Sequence, residues 1–288
     1  MYRVKAIPGM MYRQKTSVHP RQSCTVLTVI IMVIVVLVYM SADAAPVAVR
    51  SPEGVIHGYF LVRSHGGDTI GQGELIQVVK EGGPVESHMV FRFKDGSVHD
   101  EKVTFSQQRV LTMLRYRLVQ RGPSFPKQIE AFVDRETGQY TVRSRARNDG
   151  KEEVLTGHLD LPKDVYNGML VVALKNLIKG ADKTVSFLVF TPEPQVFKLQ
   201  LLLIGEQTVQ IGNLSAKASL YSFKPQIGKI REFFGKFFGK LPADFHYDCW
   251  IVADEVPSFV QFEGPLQLMG PIVRIELVSP RLAPKPKD

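Results

Sequence analysis

A length of 288 residues leaves room for one large domain or two small ones. With 44% hydrophobic and 22% charged residues, the composition excludes both a disordered chain and a polytopic membrane protein. The formal charge of +8 is inflated by Arg3, Lys5, Arg13, Lys15 and Arg21; beyond Ala44 the excess of basic over acidic residues falls to four, and no dense Lys/Arg run argues for nucleic acid.

The basic N-terminus is followed by Thr25–Met40, almost wholly apolar, and then by Ser41-Ala42-Asp43-Ala44-Ala45. A positive n-region, a short h-region and an Ala-x-Ala end predict a secretory signal peptide over residues 1–44, cleaved near Ala44/Ala45. About 16 apolar residues fall short of the roughly 20 that a bilayer span needs, so cleavage is favoured over a retained anchor. Met11-Tyr12-Arg13-Gln14 echoes Met1-Tyr2-Arg3-Val4, and Met11 is an alternative start. The expected location is the periplasm or the exterior. Cleavage removes Cys24 and leaves Cys249 alone, which excludes a disulfide framework.

Ala45–Glu53 reads as a frayed leader. From Val55 to Leu161 the sequence then predicts one antiparallel meander. Alternating segments at Val55–Arg63, Ile70–Lys80, Val85–Lys94, Val98–Ser106, Val110–Gln120, Gln128–Asp134, Gln139–Arg147 and Glu152–Leu159 are separated by Gly- and Asp-containing turns. Leu161-Pro162-Lys163-Asp164 predicts a helix entry with Asp164 as cap, and Val165–Lys179 a buried helix that Gly180 stops. Strands resume at Thr184–Phe190, Gln195–Gly205 and Gln207–Tyr221. Pro225–Leu241 reads as a second helix. His246–Ala253, Ser258–Glu263 and Pro271–Val278 close the domain, taken as 45–280, and 281–288 reads as a disordered tail. The fold class is mainly β, with two helices packed in or over the concave face of a curved sheet.

Three stretches are candidates for function. In Pro225–Leu241 the residues Ile227, Ile230, Phe233, Phe234, Phe237, Phe238 and Leu241 share one helical face, with Lys229, Arg231, Lys236 and Lys240 elsewhere. Such a basic amphipathic helix serves either as a lid touching lipid or a membrane surface, or as core. Trp250 is the candidate cavity residue contributed by a strand. Arg115, Arg117, Arg143 and Arg145 form an outward stripe suited either to an anionic headgroup or to cross-strand pairing with Glu130 and Asp134. In His246-Tyr247-Asp248-Cys249-Trp250, strand alternation points His246 and Cys249 to opposite faces, which argues against a thiol–imidazole pair and for a buried Cys249. The histidines are scattered, and no spacing of ligand residues suggests a metal or cofactor.

Gly58-Tyr59-Phe60, Phe93-Lys94-Asp95-Gly96-Ser97, Gly122-Pro123-Ser124-Phe125, Leu161-Pro162 with Tyr166-Asn167-Gly168, and Trp250-Ile251-Val252-Ala253-Asp254 before Pro257 occur in this order. In that order they resemble exported bacterial β-rich proteins grouped as domains of unknown function. The resemblance implies a half-barrel broadly similar to periplasmic lipoprotein carriers. It implies no reaction and supplies no site residues.

Three functions remain open. The leading expectation is non-catalytic binding of a lipid or acyl chain in the cell envelope. The others are an envelope interaction protein with a solid core, and a hydrolase of unrecognised type. Oligomeric state is not legible.

Overall fold

Alternation of apolar and polar residues, broken by turns, builds a single antiparallel sheet. The computed structural model describes residues 46–146, 150–178, 181–191, 193–211, 214–226, 247–252, 254–267 and 270–278. All of them belong to one compact unit, Ala44–Asp288. The first eight strands are β1 (Ile56–Ser64), β2 (Thr69–Val79), β3 (Val85–Phe93), β4 (Val98–Gln107), β5 (Leu111–Arg121), β6 (Lys127–Asp134), β7 (Gln139–Ala146) and β8 (Glu152–His158). After the helix α1 (Leu170–Lys175) come β9 (Lys183–Thr191), β10 (Glu193–Ile211), β11 (Leu214–Pro225), β12 (Asp248–Val252), β13 (Ser258–Pro265) and β14 (Ile272–Val278). The order across the sheet is β8-β7-β6-β5-β4-β3-β2-β1-β14-β13-β12-β11-β10-β9. Each half is therefore a meander of neighbours, and the two halves join where β1 pairs with β14, Val62 opposite Ile275.

The main apolar cluster draws on both halves. Val103, Phe105, Met113, Tyr116, Ala131 and Val133 share it with Val185, Leu188, Leu201, Phe223 and Ile251. A second cluster, Phe60, Val62, Phe91, Phe93, Phe125, Val273 and Ile275, spans the junction of the halves. Here a bare backbone matters: a Cβ on Gly73 would meet the Phe91 ring at 2.3 Å, so glycine lets that ring lie flat across β2.

Two stretches from the sequence reading meet here. Asp95 accepts hydrogen bonds from Ser97 N (2.9 Å) and Ser124 Oγ (2.7 Å), while Ser97 Oγ accepts from Ser124 N (2.7 Å). Phe93 and Phe125 pack edge to face at 5.9 Å. The β3–β4 turn and the loop after β5 thus lock together.

Four expectations need correction. The leader is not frayed. Leu111 N donates to Val47 O (2.8 Å), Val49 N to Arg109 O (3.0 Å), and Val47 N to the Tyr166 hydroxyl (2.7 Å). Beyond it, Glu53 is buried against Lys175, with Oε1 and Nζ 2.6 Å apart, and its other oxygen accepts from Gln77 Nε2 at 3.0 Å. The leader is a strap because its backbone groups find partners on β5 and on the helix segment.

The expected helix over Val165–Lys179 shrinks to Leu170–Lys175. Asp164–Tyr166 instead run beside β9: Ser186 N donates to Asp164 O (2.9 Å) and Tyr166 N to Ser186 O (3.1 Å). Gly168 then turns at φ +68°, where a Cβ would crowd Val103 and Tyr116. Asp164 is not a helix cap. Its carboxylate accepts from Ser186 Oγ at 2.8 Å and faces Lys198 Nζ at 3.4 Å.

Pro225 ends strand β11 rather than starting a helix, and 227–241 lie outside the described residues. Among the described residues there is one helix, not two. Residues 1–44 and 281–288 also lie outside them. Finally, the strand expected over Gln195–Gly205 does not stop there: β10 runs over 19 residues to Ile211, taking in Gln207–Ile211, and its partner β11 begins only at Leu214.

Candidate functional site

Strand β4 carries the least ordinary chemistry of the inner face. Its alternation turns His99, Glu101, Val103 and Phe105 inward. In register, His99 lies between Phe91 and Gln120, Glu101 between Met89 and Leu118, and Val103 between Ser87 and Tyr116. A histidine and a carboxylate thus interrupt an apolar lining.

Their partners are specific. The Tyr116 hydroxyl donates to Glu101 Oε1 at 2.7 Å. Burial pushes the Tyr116 phenol well above its ordinary pKa, and the nearby Glu101 charge and hydrogen bond push it the same way, against the Asn167 side chain. Tyr116 is therefore a permanent proton donor. Asn167 is itself held on β9, donating to Leu188 O at 2.9 Å and accepting from Leu188 N at 2.7 Å.

Gln120 orders the other end. Its Nε2 donates to Leu266 O at 2.7 Å, which fixes which end of the amide is nitrogen, and the same nitrogen lies 3.0 Å from His99 Nδ1. An amide nitrogen only donates, so Nδ1 accepts and the ring proton sits on Nε2. His99 is 4% exposed, with Phe91 and Phe125 rings beside it at 5.7 and 6.5 Å. Its Nε2 has no hydrogen-bond partner, and Glu101 Oε2 stands 4.0 Å away, too far for a direct bond.

The surroundings are apolar and partly open. The Glu101 side chain keeps 15% of its exposure. Next to it in register stand Met89 and then Leu75, both half-buried. Phe259, Phe262, Leu266 and Leu277 are further partly buried residues of the same cluster. The arrangement sets one buried N–H donor, closed to solvent, 4.0 Å from a partly exposed carboxylate that borders an apolar track.

The residues singled out from sequence are placed as follows. Ile230, Phe233, Phe234, Phe237 and Phe238 lie outside the described residues. Trp250 sits in a separate small cluster with Val209, Ala218, Leu220, Val252 and Val260, and its Nε1 donates to Gln207 Oε1 at 2.9 Å. Cys249 and Ile251, on the other face of β12, belong to the main core. Arg115 pairs with Asp134 at 2.8 Å, and Arg117 with Glu130 at 3.2 Å. Arg143 and Arg145 are exposed on β7, opposite Glu130 and Gln128. None of the four arginines touches the His99–Glu101 gap. Among the described residues, no group of three or more His, Cys, Asp or Glu could hold a metal ion.

His99 and Glu101 are not among the sequence candidates, because the histidines lie scattered along the chain. The signal was present: within Val98–Ser106, both share the parity of Val103 and Phe105. A charged residue in phase with the apolar face of a strand marks a polar group turned inward.

Family models, curated proteins and solved structures were all compared with this chain, and none matches it.

Proposed function

We propose that this protein is exported to the bacterial cell envelope, is non-catalytic, and binds an amphipathic ligand, a lipid or acyl chain, on the inner face of a half-barrel similar to periplasmic lipoprotein carriers. The observation that carries the reading is Glu101: a partly exposed carboxylate in register with Met89 and Leu118, and with Leu75 one strand further, on a largely apolar inner face. Binding sites for small ligands combine such a lining with a few placed polar groups. The Tyr116 bond to Glu101 supports it further, since it pre-orients the carboxylate at no cost to an incoming ligand. Export rests on the basic, apolar, Ala-x-Ala order of residues 1–44.

Native mass spectrometry of protein purified from its host envelope tests this directly. A population carrying a lipid-sized adduct, removable by detergent exchange, is the expected result. A single ligand-free mass, together with failure to bind a fluorescent acyl probe, points instead to an interaction protein with a solid core.

A further inference from the structure

We infer that β8 pairs with β8 of a second copy of this chain, antiparallel about a two-fold axis at Leu155, so that the sheet continues from one molecule into the next. This goes beyond the ligand reading and does not depend on it.

The sheet ends in two edges, β8 and β9. The chain covers one of them itself: Asp164–Tyr166 run along β9, exchange backbone bonds with Ser186, and place Val165 beside it in parallel. Among the described residues, no strand lies along the far side of β8. Its Glu152, Glu153, Val154, Thr156 and His158 are exposed, and Val154 keeps 52% of its surface.

The backbone shows what this edge offers. Leu159 N donates to Gly138 O at 2.8 Å, so that pair of the β7–β8 ladder is hydrogen-bonded. Bonded pairs recur at every second residue of an antiparallel ladder. Gly157, Leu155 and Glu153 therefore turn their backbone groups to β7, opposite Tyr140, Val142 and Ser144. Glu152, Val154, Thr156 and His158 turn theirs to the open edge, one N–H and one C=O apiece, ready for an added strand.

The strand is complementary to itself reversed, as a two-fold contact requires. About Leu155, Glu152 falls opposite His158 and Val154 opposite Thr156, each twice. All four carry the open backbone groups, so the register that uses the whole strand also makes every bond. It sets a carboxylate against an imidazole, and neither has an ion-pair partner among the described residues. Charge on an edge strand ordinarily blocks pairing. Here Glu152 and Glu153 lie at one end, so an antiparallel copy brings His158 and Gly157 to them and keeps the two acidic ends apart. Parallel pairing would set acid against acid. A shift of two residues in either direction loses the Glu152–His158 pair and shortens the ladder. A single seven-residue ladder is a small interface, which makes the dimer weak and concentration-dependent.

The test is sedimentation velocity on the full mature protein from about 5 to about 500 μM, the range of a weak contact. The expected result is monomer at the low end and a rising share of dimer at the high end. Val154→Pro removes one outward N–H and none that faces β7, so it should abolish the dimer and leave the melting curve close to wild type. Glu152→Arg and His158→Glu should each weaken dimerisation about tenfold, because the two-fold counts every cross-strand pair twice, and the double variant should restore it. Hydrogen exchange on the wild type reads the register directly. At high concentration the amides of Val154, Thr156 and His158 should slow, while those of Glu153, Leu155 and Gly157 stay as they were. That alternation decides the matter even if Val154→Pro does not fold. A monomer across the whole range overturns the inference. So does a dimer that survives Val154→Pro, which must use another surface. Protection of the outward amides at every concentration also overturns it, and assigns the edge to another segment of this chain.

Discussion

Tyr116 and Phe190 stack face to face, with ring centroids 5.9 Å apart and planes inclined by 3°. Tyr116 is on β5 and Phe190 on β9, separated in the sheet order by β4 through β1 and then β14 through β10. In a flat sheet at about 4.8 Å per strand, the two rings would be tens of ångströms apart. The sheet therefore turns back on itself, and this pair is one place where its two halves meet. A double-mutant cycle with Tyr116→Leu and Phe190→Leu should show a coupling of about 0.5–1.5 kcal/mol in urea unfolding. Strict additivity would mean that the stack does not join the halves in solution.

The strap before β1 should matter to stability as much as a core strand. Glu53 is buried and Lys175 largely so, at 2% and 11% side-chain exposure, 2.6 Å apart. Removing one partner leaves the other charge buried, so Glu53→Ala or Lys175→Ala should cost about 3–5 kcal/mol. Replacing both, as Glu53→Leu with Lys175→Met, should recover most of that loss. Hydrogen exchange gives an independent check. The amides of Val47 and Val49, bonded to Tyr166 and Arg109, should be protected rather than exchange at the rate of a free terminus.

Cys249 should react slowly with a maleimide in the native protein and rapidly in denaturant. The residue is fully buried, and burial, with a smaller push from the Asp248 charge, raises its thiol well above the ordinary range. Native labelling as fast as that of an exposed thiol would place β12 at an open surface instead.

Acid should release the lock between the β3–β4 turn and the loop after β5. Burial pushes the Asp95 carboxyl up, but hydrogen bonds from Ser97 and Ser124 outweigh it and hold the group below its ordinary 3.8. A carboxyl lowered by folding stabilises the native state above its unfolded value, and that stability is lost as pH falls through the folded value. Asp95→Asn should therefore lower the urea midpoint at about pH 7, and the gap to wild type should narrow as pH falls below the ordinary carboxyl value and through the lowered one. Asp134 behaves alike. Burial raises it, while Arg115 and the amides of Thr137 and Glu136 lower it further. A gap between Asp95→Asn and wild type that is constant with pH would show that Asp95 is not held down by these bonds.

Local alternation alone sets the strands of the first half and their facing. Period-two alternation and Gly or Asp turns depend only on neighbours in the chain, and they place β1 to β8 within a residue or two of their ends. They also place Cys249 in the core and Arg115 and Arg117 in cross-strand pairs.

Tertiary structure decided the rest, because the deciding partners lie far off in sequence. Val165–Lys179 has a helical pattern, yet its first residues are drawn onto β9 by the bond of Tyr166 to Ser186, leaving α1 only six residues. A leader rich in Pro and Ala has no local reason to be ordered, and becomes a strap only because β5, Tyr166 and Lys175 stand ready to satisfy it. The facing of His99 and Glu101 was legible. That 4.0 Å separates an orphaned N–H from a pre-oriented carboxylate depends on Tyr116 and Gln120 of β5 and on Leu266, which follows β13. Alternation assigns a side chain to a face, whereas unmet hydrogen bonds exist only once every neighbour on that face is in position.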